Sequence, residues 1–150
     1  MDIVYHYTTG QKIVEIIRDG AIKVSGSMPM PGEKPVCSFS TRDVWEPTAN
    51  KYGVTQGTWG GLTQVETEQQ YDGLDRIVVS AEHAPLTWRK WQQTSGVQSW
   101  FAKGMDLAAL KMGSNVAYYR MSYESVTADK WLAIERYMDG AWLLLPPARN

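Results

Sequence analysis

Alternation of apolar and polar positions opens the chain. Over residues 2–9, Ile3, Tyr5 and Tyr7 fall on one face of an extended segment and Val4, His6 and Thr8 on the other, which predicts a first strand. The period then changes. Between residues 11 and 18, Ile13, Ile16 and Ile17 keep helical spacing and Asp19-Gly20 supplies a C-terminal stop, so a short helix follows directly. Residues 21–25 alternate again and predict a second strand, and the Gly/Pro/Met-rich stretch 26–35 carries too many breakers for regular structure. A third strand is predicted over 35–41, with Val36, Ser38 and Ser40 on one face and Cys37, Phe39 and Thr41 on the other. After a polar turn through residue 49, residues 50–73 are rich in Gly, Thr and Gln and read as a long loop or lid.

The second half is more regular. Residues 76–81 form an apolar strand pattern, and 85–93 predict a helix with proline in its first turn and Trp88 and Trp91 on one side. Another helix is predicted over 101–112, stopped by Gly113-Ser114-Asn115. Residues 118–126, 131–138 and 142–145 read as strands, with Asp139-Gly140 a hairpin signal between the last two. Strands that cluster without βαβ alternation predict an α+β fold with a mixed or antiparallel sheet and a few short helices. No GxGxxG follows a strand and no GxxxxGK[ST] occurs, so a dinucleotide would be held by other means than a Rossmann or P-loop cradle.

Composition narrows the function classes. A chain of 150 residues and 16.9 kDa suits one domain spanning 1–150, large enough to bury a core without staples. A net charge of −1 provides no general field for a phosphate backbone. Cys37 is the single cysteine, so no intramolecular disulfide forms. With only His6 and His83 beside it, a metal centre would need carboxylates, and none is expected. Cys37 has no adjacent histidine and reads as a buried small apolar residue. No GxSxG elbow is present. No basic-then-apolar leader begins the chain, and no apolar run approaches the roughly 18 residues of a membrane span, so a soluble cytoplasmic protein is expected. Seven Trp and eight Tyr stand against two Phe, which favours rings with polar handles.

The opening Tyr5-His6-Tyr7-Thr8, continued through Asp19-Gly20-Ala21-Ile22, resembles the start of the ADP-ribosyltransferase superfamily, in particular its diphtheria-toxin-like and poly(ADP-ribose)-polymerase-like branch. The resemblance implies a split mixed or antiparallel sheet and NAD as substrate. It implies that His6 with Thr8 makes the first-strand contact to the nicotinamide ribose, and that Ser38-Phe39-Ser40-Thr41 forms the second wall. Transfer from NAD passes through an oxocarbenium-like ribose. The site therefore needs donors for the amide, an aromatic wall and a carboxylate near the sugar. Tyr7 and Trp45 are candidates for the wall. The family usually takes its glutamate from a late strand, which points to Glu124 or Glu135, and Glu46, after Trp45, is a further possibility; Glu124 and Glu46 are the catalytic candidates, Glu124 first. Glu135, beside Arg136 near the hairpin, is expected to form an exposed ion pair. The double-glutamate signature of the arginine-modifying branch is absent.

On this resemblance the function expected is ADP-ribosyl transfer to a protein or nucleic acid, or NAD hydrolysis, of the kind used in toxins or anti-defence proteins. The alternative is a non-catalytic inhibitor or sequestering protein of viral or mobile-element origin, with Trp45, Trp59, Trp88 and the long loop as its contact surface. A third reading is single-strand binding, with Trp88 and Trp91 interleaved with Arg89 and Lys90. Arg42, Lys51, Arg89 and Lys90 are the cations suited to phosphate. The dinucleotide reading requires that His6 and a third-strand hydroxyl converge on one cleft.

Overall fold

The computed structural model describes residues 2–25 and 32–146. β1 (Ile3–Thr9) runs straight into α1 (Gly10–Asp19), as the change of period predicts. Thr9 caps α1 by accepting a hydrogen bond from the Lys12 amide at 3.3 Å. Gly20 closes it in the left-handed region (φ 67°), with its N–H donated to the Ile16 and Ile17 carbonyls. Ile13 and Ile16 are buried, each such side chain contributing roughly 1.5–3 kcal/mol. They pack on Val4, Phe39, Ile77 and Val79 in the first of two apolar cores.

The remaining strands are β2 (Ala21–Ile22), β3 (Cys37–Ser40), β4 (Tyr52–Thr55), β5 (Thr58–Gly61), β6 (Leu74–Ser80), β7 (Leu86–Thr87), β8 (Tyr119–Ser122), β9 (Val126–Thr127), β10 (Trp131–Met138) and β11 (Ala141–Leu144). The main sheet has seven strands in the order β11-β10-β6-β1-β3-β8-β7, and β2-β9 and β4-β5 form two small sheets. Every pairing among the described strands is antiparallel. The fold is therefore α+β, with the antiparallel form of the expected sheet. Its helices beyond α1 are α2 (Gln64–Gln70), α3 (Trp88–Thr94) and α4 (Ser99–Lys111). A second core gathers Leu86, Trp88, Trp91, Ala102, Ala109, Val116 and Met121 where α3 and α4 cover the β8-β7 end.

Several expectations need correction. The segment 50–73 is not a loop: it holds the β4-β5 hairpin and α2, whose N-terminus is a capping box between Thr63 and Glu66. The second strand shrinks to Ala21–Ile22, and the third to Cys37–Ser40. The helix expected over 85–93 starts at Trp88, with Leu86 and Thr87 in a strand and Pro85 ahead of it. The strand expected over 118–126 breaks at Tyr123–Ser125, where Ser122 Oγ accepts from the Glu124 amide at 3.0 Å and donates to the Glu124 carbonyl at 2.8 Å. The loop expected over 26–35 falls in part on residues 26–31, outside the described residues; Gly32 to Val36 hold no helix or strand. Among the described residues no helix is long and apolar enough to cross a membrane. Cys37 is buried, and burial pushes its thiol up to about 11, which keeps it protonated.

Candidate functional site

The pairing of β1 with β3 is much shorter than its pairing with β6. β1 runs beside β6 from Ile3↔Ser80 to Thr9↔Leu74, whereas β1 and β3 meet at Tyr5↔Ser40 alone among the described residues. A cavity of about 380 Å³ lies against β1 and β3, a size within the roughly 300–1,000 Å³ of small-molecule sites. His6 from β1 and Ser38 and Ser40 from β3 line it. Trp88 and Trp91 of α3, Met105 of α4 and Tyr119 and Met121 of β8 supply an aromatic and thioether wall.

Two carboxylates line this cavity, Glu33 and Glu46, and Glu46 is the one tied to the β3 hydroxyl. It is 5% exposed, and one oxygen accepts from Ser40 Oγ at 2.8 Å while the other accepts from Thr48 Oγ1 at 2.9 Å and the Thr48 amide at 3.3 Å. The last contact caps the short turn Pro47–Ala49. Ser40 Oγ in turn accepts from the Arg42 amide at 3.1 Å, so the hydroxyl hydrogen is committed to Glu46. Among the described residues Glu46 has hydroxyl and amide donors but no ion pair. A buried anion held by neutral donors keeps its charge available to a ligand rather than spent on a neighbouring cation.

His6 stands beside it with its ring edge-on to Phe39 at 5.6 Å and Nδ1 2.7 Å from the Ser38 carbonyl. A carbonyl only accepts, so Nδ1 carries the hydrogen and Nε2 is left as an acceptor. Burial lowers the imidazole pKa, against the raising effect of the Ser38 bond, and the Lys51 and Lys12 charges lower it further. At neutral pH the ring is thus uncharged. Burial raises the Tyr119 phenol, which bonds the Thr48 hydroxyl and feels the Glu46 charge.

Behind Glu46 the chain is pinned by three strands. The Arg42 carbonyl accepts from Tyr7 OH at 2.5 Å, the Asp43 carbonyl from the Arg76 guanidinium, and the Val44 carbonyl from Trp142 Nε1 at 2.7 Å. Arg76 also donates to Tyr7 OH at 3.2 Å and to Glu135 at 2.7 Å, and its guanidinium lies between the Tyr5 ring at 4.2 Å and the Trp142 ring at 4.4 Å. Burial raises the Tyr7 phenol to about 12 in spite of Arg76.

The residues singled out from the sequence therefore divide. His6, Tyr7, Ser38, Ser40 and Glu46 all line the cavity. Thr8 is buried on the His6 face of β1 but does not line the cavity. Trp45 is also buried away from it, edge-on to Tyr7 at 5.2 Å and stacked on Trp142. Glu124 lies in the turn after β8 and lines a different cavity with Glu82, His83 and Lys130, apart from His6. Glu135 is half-buried against the buried Arg76, not exposed. Trp45 and Trp88 are buried, so of the three tryptophans of the proposed contact surface Trp59 alone stands out, 68% exposed on β5, beside the exposed Tyr52 and Val54 of β4. Trp88 and Trp91 face each other at 4.8 Å within the second core, while Arg89 and Lys90 point to solvent. Tyr119, Thr48 and Met105 were not singled out from the sequence; only the Glu46-Pro47-Thr48 cap pattern offered a local signal for one of them. Among the described residues no cluster of His, Cys, Asp and Glu could hold a metal ion. Comparison of the chain with protein-family models, with curated proteins and with solved structures returns no match.

Proposed function

We propose that the cavity binds the nicotinamide-ribose end of NAD and that the protein breaks its glycosidic bond, transferring ADP-ribose to a macromolecule or to water, on an ADP-ribosyltransferase-like scaffold. The observation that carries this reading is the convergence of His6, Ser38, Ser40 and Glu46 on one aromatic-walled cavity beside the short β1–β3 pairing. His6 Nε2 accepts a ribose hydroxyl, and the Trp88 and Tyr119 rings flank the planar base. Glu46 faces the positive charge that develops on the sugar as the bond to nicotinamide lengthens, and its two hydroxyl partners hold it there without neutralising it. This geometry favours Glu46 over Glu124 as the acting carboxylate.

The test is nicotinamide release by the purified protein. Glu46→Gln keeps the shape and removes the charge, and its kcat falls by about 10²-fold or more. His6→Ala also lowers release, whereas Glu124→Gln retains it. Absence of release from the wild type would remove the reading. A non-catalytic, partner-binding role is favoured by one feature only, the exposed Tyr52, Val54 and Trp59 of the β4-β5 hairpin. It requires that Trp59→Ala weakens partner binding while Glu46→Gln does not.

A further inference from the structure

The three successive carbonyls of Arg42, Asp43 and Val44 each accept from a side chain of a different strand: Tyr7 on β1, Arg76 on β6 and Trp142 on β11. Irregular backbone in a surface loop normally gives its carbonyls to water, and three side-chain donors in register on consecutive residues constrain both position and direction. Glu46 follows two residues later. The donors are themselves fixed. Arg76 is held between the Tyr5 and Trp142 rings and by Glu135, and Tyr7 OH receives Arg76 as it donates to Arg42. On the cavity side the loop is tied by Ser40 Oγ, which joins the Arg42 amide to the Glu46 carboxylate.

We propose that Tyr7, Arg76 and Trp142 are positioning residues for Glu46: Arg76 and Trp142 do not line the cavity, the Tyr7 hydroxyl is committed to the Arg42 carbonyl although the Tyr7 side chain does line it, and the three clamp the 42–44 backbone so that the carboxylate enters the cavity at one depth and angle. This rests on the NAD reading for its catalytic consequence but not for the clamp itself. A carboxylate acting on developing charge loses effectiveness steeply with small displacements, so the clamp bears on turnover rather than on ground-state affinity.

Trp142→Phe removes one N–H donor and keeps a ring over Arg76; Tyr7→Phe removes one hydroxyl. Two readouts are taken on each variant: amide hydrogen exchange over residues 42–46, with the β6 amides as the folding control, and steady-state nicotinamide release. The proposal expects exchange over 42–46 to rise several-fold with β6 unchanged, and kcat to fall about tenfold with KM for NAD within about twofold of wild type. If one variant unfolds, the other decides. Unchanged exchange over 42–46 would overturn the clamp. So would faster exchange with kcat intact, or a raised KM with kcat intact. A wild type that releases no nicotinamide defeats the NAD reading alone, and exchange then decides the clamp by itself.

Discussion

At the scale of single residues, His6 and Glu46 differ in how they are kept ready. The Glu46 carboxylate is held by two hydroxyls and an amide, whereas His6 is held neutral by burial with its Nδ1–H committed to Ser38. The imidazole has a consequence for stability that can be signed. Its folded pKa lies below the ordinary 6.5, so in the window below that value the unfolded chain binds a proton that the folded chain resists. Its contribution is constant above about pH 6.5 and turns destabilising as pH falls through that value. A urea midpoint followed from pH 8 to pH 5 should drop more in wild type than in His6→Gln, which can still donate to the Ser38 carbonyl but does not titrate; parallel curves would show that His6 is not the group responsible. Of these two residues, the histidine was legible in the sequence because alternation gave its face and the opening motif gave its company. Glu46 stands behind Glu124 in the sequence reading because the family resemblance points to a glutamate on a late strand. The local pattern that marks it, a carboxylate two positions before a threonine across a proline, describes a cap as readily as a site.

At the scale of elements, the strongest local signals survived folding and the compound ones were lost. Asp139-Gly140 adopts left-handed backbone at both positions (φ 50° and 83°) and joins β10 to β11 as its residue types predict. Gln56-Gly57 does the same (φ 51° and 78°) between β4 and β5, but glutamine is not a usual turn residue. Gly53, Gly60 and Gly61 dilute the strand pattern on either side. The helix after that hairpin was announced by Thr63-Gln64-Val65-Glu66, a capping-box spacing hidden by the polarity of residues 67–70. Thr63 accepts from the Glu66 amide at 3.2 Å while the Glu66 carboxylate accepts from the Thr63 amide at 3.0 Å. Thr63→Ala should therefore cost about 1 kcal/mol in chemical denaturation. Because α2 is short and Gln70 reaches from it to the Val54 carbonyl, the same variant should raise amide exchange in β4 as well as in α2. No change in either would mean that packing against Leu62 and Thr67, not the cap, fixes the helix.

At the scale of the whole molecule, the cavity is a product of strand order. Neighbours in the main sheet come from positions 3–9, 37–40, 74–80 and 119–122, so no window of sequence contains the site, and the short β1–β3 pairing leaves no local trace. On the other side of β1, the backbone ladder between β6 and β10 is accompanied by two cross-strand ion pairs. Arg76 meets Glu135 at 2.7 Å, and Arg136 grips the fully buried Asp75 with two bonds of 3.0 Å. The Arg136 guanidinium also lies against Gly10 and Gly73, where the start of α1 passes so close to Asp72 that a methyl at Gly10 would meet its carbonyl oxygen. Arg136 thus ties β10, β6 and the root of α1 together. Removing it leaves the Asp75 carboxylate buried without a cation, a cost of about 3–5 kcal/mol for a fully buried pair. About a third of the Arg136 side chain is in solvent, so the expected loss for Arg136→Met is at the lower end, about 3 kcal/mol. Asp75→Asn added to that variant removes the orphaned charge and should restore part of the loss, giving a favourable coupling in a double-mutant cycle. A single-variant loss under about 1 kcal/mol, or a double variant no more stable than Arg136→Met alone, would show that burial of Asp75 is relieved by water and that apolar packing alone holds the ladder side of the sheet.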